Sequence, residues 1–246
     1  MRYLLGIDQG GTKTAAAVMG EDGRILGSAL VKGSYFPIFG VSPALDRMEE
    51  AAGLAVEQAG IRQEDISLLT AGVSGIDWPG EDKMMEEALR DRMKWERIIA
   101  CNDMINAFYT VRGISHGMVL CAGTGMNGAI IDERGRQFVF GDYMEEMMQG
   151  GSGLAQRAIR KVFDAQMGLC QETALTDLFL TYAGVDTVDQ LLHMYMTKEG
   201  FSGKIRYLTP EILKLAGQGA GETCSVIEAF ANRTVSCVFA GFRKLE

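Results

Sequence analysis

A glycine-rich segment near the N terminus has the residue types that bind phosphate. The segment, Asp8-Gln9-Gly10-Gly11-Thr12-Lys13-Thr14, joins two short apolar runs. Glycine has no Cβ, so a pair of glycines lets the backbone turn tightly and point successive N–H groups at one anion. Thr12 adds a hydroxyl donor and Lys13 adds a positive charge. Gly10, Gly11, Thr12 and Lys13 are therefore predicted to bind phosphate, and a plain hairpin turn is the alternative.

Two carboxylates lie where strands are expected to end. Asp8 follows an apolar run, and at the end of a buried strand its carboxylate is placed to hold Mg²⁺, directly or through water. Asn102-Asp103 closes another apolar run and opens a helix, at the strand end where open sheets place their active sites. Asp103 would there accept a proton from a substrate hydroxyl during phosphoryl transfer. The alternative is that Asp103 is only the N-cap of the helix.

A second glycine turn, Gly123-Thr124-Gly125, occurs in a segment with the same layout as the first. Residues Tyr3–Val31 and Gly117–Phe140 each have the pattern of three strands whose first connection is glycine-rich. Two such units in register indicate a duplicated architecture of two lobes, each with a turn that binds phosphate. Neither turn has the spacing of the P-loop or of the Gly-x-Gly-x-x-Gly dinucleotide motif, which disfavours both of those nucleotide folds.

The segments between and after these turns must supply the elements that position them. Ser42 is predicted to be a helix N-cap, because Pro43 follows it at the first helical position, and Thr209-Pro210 repeats that signal in the helical region after Phe140. Between the two turns, periodicity and breakers predict four further elements in chain order: strand Ser67–Gly72, helix Glu81–Met93, strand Arg97–Asn102 and helix Met104–Val111. This order predicts an α/β fold in which helices cover a mixed sheet.

Composition excludes several classes of protein. The 246 residues are 47% hydrophobic and 23% charged, as in a globular chain, and the net charge of −8 argues against a nucleic acid partner. No apolar run approaches the roughly 20 residues of a membrane span, so no membrane partner is expected. Five widely spaced cysteines and only two histidines argue against a zinc site. Unpaired thiols and the lack of a signal-peptide pattern predict a cytoplasmic protein.

Five motifs occur together in a recognisable order and spacing. They are the Asp8–Thr14 turn, Ala71-Gly72-Val73-Ser74-Gly75, Asn102-Asp103, Gly123-Thr124-Gly125 and Gly151-Ser152-Gly153. Jointly they resemble the N-acetylglucosamine kinase and BadF/BadG/BcrA/BcrD ATPase family, within the acetate kinase–sugar kinase–Hsp70–actin superfamily. The resemblance implies a two-lobed actin-like ATPase (ribonuclease H-like) fold with an ATP-binding cleft between the lobes. We assign residues 1–112 to the first lobe and residues 113–246 to the second.

The resemblance also implies an activity and roles for individual residues. The expected reaction is ATP-dependent phosphorylation of an amino sugar or a related sugar hydroxyl, with Mg²⁺ at Asp8 and Asp103 as the base. The two glycine turns would hold the phosphates of ATP, and a homodimer through the helical second half is implied. The residues expected near the sugar-like small-molecule substrate are Ser74, Gly75, Asn102, Gly151 and Ser152.

The sequence departs from the family pattern in places. Phe36 stands where the family has an asparagine, and Met148-Gln149-Gly150 stands where it has Gly-Asp-Glu. The family's Gly-Gly stretch for adenosine follows the long last helix, and the sequence ends at Glu246, so we expect a second lobe that is incomplete at its C terminus. Two other activities stay open: an ATPase activator of a CoA-ester reductase or dehydratase, and a non-catalytic nucleotide- or sugar-binding protein.

Overall fold

The computed structural model describes residues 3–123, 125–144, 150–219 and 221–246. The chain divides into two compact units, of which the first ends at Ser115 and the second begins at His116. The boundary predicted from the sequence lies between residues 112 and 113. Each unit has its own sheet and its own core, and the two are described separately.

The first unit contains five strands and four helices. The strands are β1 (Tyr3–Gln9), β2 (Lys13–Gly20), β3 (Ile25–Lys32), β4 (Ile66–Val73) and β5 (Ile98–Asn102). The helices are α1 (Phe36–Phe39), α2 (Val41–Ala59), α3 (Glu81–Met93) and α4 (Asp103–Phe108). A short 3-10 turn at Gln63–Asp65 precedes β4.

The five strands form one mixed sheet in the order β3-β2-β1-β4-β5. β1 pairs antiparallel with β2 and parallel with β4, and β4 pairs parallel with β5. Parallel strands end at the same edge of a sheet, so Asp8 lies beside Gly72 and Gly72 lies beside Cys101 in the register. This edge therefore carries the candidate site residues that the sequence predicts at strand ends.

The core of this unit lies between the sheet and α2. Leu5, Ile7 and Val18 point to that side, where they meet small or flexible side chains of α2 such as Ala51 and Met48. Side chains alternate along a strand, so Asp8 points to the opposite side from Ile7. Helix α4 contacts β4, β5 and β1. Burial of the apolar face of α2 supplies the main stabilisation here, since apolar area removed from water contributes about 25 cal/mol per Å².

The two tryptophans both belong to the first unit. Trp95 is buried, and its indole N–H donates to the carbonyl of Gln63 at 2.9 Å. Trp78 is exposed, and its backbone N–H donates to the carboxylate of Glu81 at 3.0 Å. Trp95 therefore anchors the core, whereas Trp78 lies in the turn that leads into α3.

The second unit contains a small sheet and a helical cluster. The strands are β6 (Gly117–Ala122), β7 (Met126–Ile131) and β8 (Gln137–Val139), in the antiparallel order β6-β7-β8. The helices are α5 (Gly150–Gln166), α6 (Ala174–Ala183), α7 (Val188–Thr197), α8 (Phe201–Lys204), α9 (Thr209–Gly217) and α10 (Gly221–Leu245). α5 is central to the helical cluster, and its buried Ile159 and Val162 belong to that core.

Across the described ranges, no helix combines the length and the apolarity needed to cross a membrane.

Both predicted helix caps are wrong by a residue or two. Gly40, not Ser42, is the N-cap of α2, and Leu208, not Thr209, is the N-cap of α9. A proline marks the first turn of a helix because none of the N–H groups there has an intrahelical partner. The proline therefore locates the first turn of the helix but does not determine which residue begins the helix. Helix α4 is also shorter than predicted, since it ends at Phe108.

Candidate active site

Asn102 is the residue that caps helix α4. Its Oδ1 accepts a hydrogen bond from the backbone N–H of Met104 at 2.8 Å. Its Nδ2 donates to the carbonyl of Ile76 at 3.0 Å and to Oδ1 of Asp77 at 2.9 Å. The alternative assignment of Asp103 as the N-cap is therefore wrong. Asn102 is buried and its amide is committed to these bonds, so it holds the start of α4 in place.

Asp103 is an acid whose surroundings disfavour its charge. Burial raises the pKa of Asp103 to about 6, and the nearby carboxylate of Asp8 adds to the rise. The backbone N–H of Met104 and the hydroxyl of Ser74 favour the charged form and limit the shift. Within the part of the chain that the structure describes, the buried Oδ1 of Asp103 has no hydrogen-bond partner. A carboxyl group with these properties can exchange a proton near neutral pH.

Removing the charge of Asp8 is expected to lower the pKa of Asp103. In the Asp8→Asn variant the repulsion between the two carboxylates is gone, while burial still holds the pKa above its ordinary value. The measurement is a carboxyl carbon NMR titration of metal-free protein. Asp22→Asn, in the exposed turn after β2, is the control and leaves the midpoint near 6. An unchanged midpoint in Asp8→Asn would show that the two carboxylates do not interact.

The first glycine turn, residues 10–13, is fixed by backbone hydrogen bonds. The N–H of Gly10 donates to the carbonyl of Lys13 at 2.9 Å. The loop after β3 packs on the turn, because the N–H of Gly33 donates to the carbonyl of Thr12 at 2.9 Å and that of Ser34 to Gly10 at 3.2 Å. A Cβ at Gly33 would overlap the carbonyl oxygen of Gly10. The turn is thus supported by a neighbouring loop that must have a glycine at this point.

The Ser74-Gly75 turn reaches the same edge of the sheet. The N–H of Ser74 donates to the carbonyl of Gln9 at 2.8 Å. Gly75 has a φ of +98°, and a Cβ there would lie 2.5 Å from Cγ of Pro37. Glycine is therefore required by both conformation and packing. Phe36, in the short helix α1, is buried in the core.

The first unit thus brings most of its predicted site residues to one edge of the sheet. That edge carries the strand end at Asp8, the turn of residues 10–13, the Ser74-Gly75 turn and the start of α4. Sequence reasoning missed Asn106, whose side chain occupies the space that a Cβ of Gly72 would need. Asn106 and Asp8 line one cavity of about 640 Å³. The only sequence signal was a glycine inside a buried strand, which indicates close approach of another group.

The second glycine turn packs against the start of α5. The N–H of Gly123 donates to the carbonyl of Gly125 at 2.9 Å, and the N–H of Gly151 donates to the carbonyl of Gly123 at 2.7 Å. Gly150 has a φ of +57°, and a Cβ there would overlap the carbonyl of Gly125. The hydroxyl of Thr209 lies 2.9 Å from the carbonyl of Gly151. The second glycine turn and the Gly151-Ser152-Gly153 motif at the start of α5 are therefore packed together in this unit.

Some predicted positions of the second unit have fewer observations. Ser152 follows Gly151 in the first turn of α5 and is close to the second glycine turn for that reason. Thr124 lies outside the described residues, as do Met148 and Gln149.

Asp8, at the edge of the first sheet, has the chemistry that would hold a magnesium ion. In the described parts of the chain, no three acid, histidine or cysteine side chains cluster in a way that could hold a metal. Mg²⁺ is commonly bound by one or two carboxylates together with phosphate oxygens and water. Asp8, beside the acid Asp103 and its unpartnered oxygen, supplies a donor set of that kind.

Comparison with solved structures confirms the fold. A proposed N-acetylglucosamine kinase from Chromobacterium violaceum superposes with a TM-score of 0.71 at 22% identity, over 100% of this chain and 84% of that one. A ROK family glucokinase from Streptomyces griseus, in complex with glucose and AMPPNP, superposes with a TM-score of 0.57 at 19% identity, over 99% and 80% of the two chains. The predicted α/β, actin-like fold is confirmed, and the incomplete second lobe stays a prediction.

Comparison of sequences identifies relatives of the chain. The glucosamine kinase GspK of Vibrio cholerae is 27% identical over 188 residues, which are 76% of this chain. The match spans 63% of the length of that relative. The profile of one protein family matches residues 5–237, nearly the whole sequence. The chain belongs to the BadF/BadG/BcrA/BcrD ATPase family.

Proposed function

We propose that the chain is an ATP-dependent kinase that phosphorylates a hydroxyl group of an amino sugar or a related sugar. The observation that carries the proposal is Asp103, a half-buried acid with a pKa near 6 that follows β5, at the sheet edge that also carries Asp8 and the first glycine turn. Above that pH the carboxylate accepts the proton of the acceptor hydroxyl. The hydroxyl oxygen forms a bond to the terminal phosphorus of ATP, and the bond from that phosphorus to the oxygen of ADP breaks.

The proposed phosphate-binding groups are the two glycine turns. In the first unit they are the backbone N–H groups of Gly11 and Thr12, with Lys13 adding charge. Gly10 belongs to the same turn, and its own N–H holds the turn closed by donating to the carbonyl of Lys13. In the second unit the corresponding turn is Gly123, Thr124 and Gly125, in which the N–H of Gly123 closes the turn by donating to the carbonyl of Gly125. Such donors contribute to catalysis because they are fixed before the reaction and need no rearrangement as charge moves. The close packing of Gly33 on the first turn supports this assignment.

Five residues are proposed to form the acceptor-binding side of the site, and their roles differ. Asn102 keeps Asp103 in place, since its own amide is committed to the chain. The hydroxyl of Ser74 lies near the Asp103 carboxylate and is placed to contact the acceptor. The remaining members of the proposed set are Gly75, Gly151 and Ser152.

Mg²⁺ is the proposed metal, and Asp8 is the residue that would hold it. When bound, the ion neutralises charge on the phosphates. The like-charge contact between Asp8 and Asp103 supports a cation at this point, because a cation reverses the sign of the local field.

Relatives suggest the class of acceptor. The curated relative is a glucosamine kinase, and one similar structure is a proposed N-acetylglucosamine kinase. The proposed acceptor is therefore a hexosamine or its N-acyl derivative. The predicted homodimer and the cytoplasmic location stay predictions, and light scattering of the purified protein decides the first of them.

The test is an acceptor screen with purified protein, ATP and MgCl₂. We expect ADP release that depends on a hexosamine, together with a sugar phosphate of matching mass. Glucose and a sugar without a free primary hydroxyl serve as comparison acceptors. ADP release that is the same without any acceptor would indicate an ATPase instead. Binding of ATP with no ADP formation would indicate a non-catalytic binding protein.

The ATPase-activator alternative is less well supported by the described residues. A bridging iron–sulfur cluster needs thiolates that reach the protein surface. Cys101 is half-buried within β5, and burial followed by the charge of Asp103 raises the pKa of its thiol to about 11. Cys101 is therefore poorly placed for a cluster between subunits, whereas Cys121, in β6, is exposed.

A further inference from the structure

Gln9 is a buried polar residue, and the sequence motifs assign it no role. It is the last residue of β1, and its side chain is fully buried on the side of the sheet opposite Asp8. Its neighbours in the chain are the proposed magnesium residue Asp8 and the first glycine of the turn, Gly10. A change in the position of Gln9 therefore moves both.

The hydrogen bonds of Gln9 join three separate segments. Its Nε2 donates to the carbonyl of Ser34, in the loop after β3, and lies 3.3 Å from the carbonyl of Gly10. Its own carbonyl accepts from the N–H of Ser74 at 2.8 Å. The first glycine turn, the loop after β3 and the Ser74-Gly75 turn thus meet at one residue.

The same side chain has an oxygen that no described group satisfies. Oε1 of Gln9 is buried without a hydrogen-bond partner, as is the hydroxyl of Thr14, its register partner on β2. A buried polar atom without a partner costs stability, and an apolar side chain of the same length would avoid that cost. The amide therefore has a use beyond filling space, and the bond from Nε2 to Ser34 is the contact that an apolar side chain cannot make.

We propose that Gln9 is a positioning residue that holds the phosphate-binding turn at a fixed place relative to Ser74 and Asp103. The inference rests on the function proposed above. Gln9 touches neither phosphate nor acceptor; its amide fixes the loop of Ser34, and that loop fixes the turn. A displacement of about 1 Å between reacting groups lowers a rate by roughly a hundredfold, so loss of this bond acts on the transfer step more than on the binding of ATP.

The test compares Gln9→Met with Gln63→Met. Gln63 is the control because its Nε2 also donates to a backbone carbonyl, that of Met93 at 2.8 Å, away from the site; Gln63 itself is exposed, whereas Gln9 is buried. Gln9→Met is expected to lower kcat by about tenfold or more, with the Kd of ATP from calorimetry changed less than about threefold. Gln63→Met leaves both values near those of the wild type. A Gln9→Met enzyme with unchanged kcat, or with kcat and ATP binding reduced together, overturns the proposal.

Amide hydrogen exchange tests the same inference without any activity. The N–H groups of Gly33 and Ser34 donate to the turn, so their exchange reports the contact directly. We expect about threefold faster exchange over residues 33–36 in Gln9→Met, and no change there in Gln63→Met. Unchanged exchange overturns the role of Gln9, whereas a wild type without transfer activity overturns only the proposed function. If Gln9→Met does not fold, Gln9→Leu removes the same donor without burying a charge.

Discussion

Replacing Asp103 by asparagine is expected to abolish most phosphoryl transfer and, above pH 6, to stabilise the fold. Loss of a positioned base lowers a rate by about 10²- to 10⁴-fold. Asparagine has nearly the same shape, and Asn102 rather than residue 103 caps α4, so the helix start is retained. The measurement is acceptor-dependent ADP release at pH 8, with ATP affinity determined on the same sample. Turnover equal to that of the wild type would exclude Asp103 as the base.

The gain in stability has a defined pH window. The pKa of Asp103 is raised from 3.8 to about 6 by burial and by Asp8, so the folded state holds this proton more tightly than the unfolded chain does. The wild type therefore loses stability as the pH rises from about 4 to about 6, and the loss is complete above that range. At about 1.4 kcal/mol per pKa unit the cost is at most about 3 kcal/mol.

Urea denaturation at pH 4 and at pH 8 measures this effect. Asp103→Asn is expected to be the more stable protein at pH 8, with a smaller difference at pH 4. Asp22→Asn, an exposed acid of the same unit, is the control and shows little difference at either pH. A variant that is less stable than the wild type at pH 8 would show that the carboxylate is better satisfied than its surroundings indicate.

The Gly33→Ala variant is expected to disrupt the first glycine turn. The added methyl group would overlap the carbonyl oxygen of Gly10, and the atoms around it belong to the backbone of the turn. Backbone cannot rotate away as a flexible side chain can, so the turn must shift. Forced overpacking of this kind costs about 1–3 kcal/mol or more. Transfer activity falls with the displacement of the phosphate-binding N–H groups.

The matched control for this prediction is Gly53→Ala. Gly53 lies within α2 of the same unit, and a Cβ there meets nothing within 4 Å. Alanine in the middle of an exposed helix is favoured over glycine by about 0.5–1 kcal/mol, so this variant is expected to be slightly more stable than the wild type. Thermal denaturation and the acceptor assay are measured on both. Full activity in Gly33→Ala would show that the turn is not the phosphate-binding element.

Elements determined by local pattern could be predicted from the sequence. Helix α3 has the predicted bounds Glu81–Met93, and β4 extends only one residue beyond each end of the prediction. Both follow from apolar periodicity between turn residues, which depends on neighbours in the chain. The duplicated meander was visible for the same reason, since each glycine turn lies between two strands of its own hairpin.

Features that depend on distant segments could not be predicted in this way. The cap bond of Asn102 is local, but the two bonds that its Nδ2 donates go to Ile76 and Asp77, which lie 26 and 25 positions earlier in the chain. The role of Gln9 depends on its bond to Ser34, 25 positions away in the chain. The space that Asn106 occupies exists because Gly72, on another element, has no side chain. Such contacts are set by the order of strands in the sheet, which hydrophobic periodicity alone does not specify.

The confinement of both tryptophans to the first unit has a practical consequence for spectroscopy. Tryptophan fluorescence of this chain reports on that unit alone, so its unfolding can be followed separately from the second unit without labels. The two emitters also differ, because Trp95 is buried and Trp78 is 62% exposed. Trp78 follows Asp77, which accepts a hydrogen bond from Asn102. Its emission is therefore a built-in optical probe beside the start of α4, where the proposed base lies.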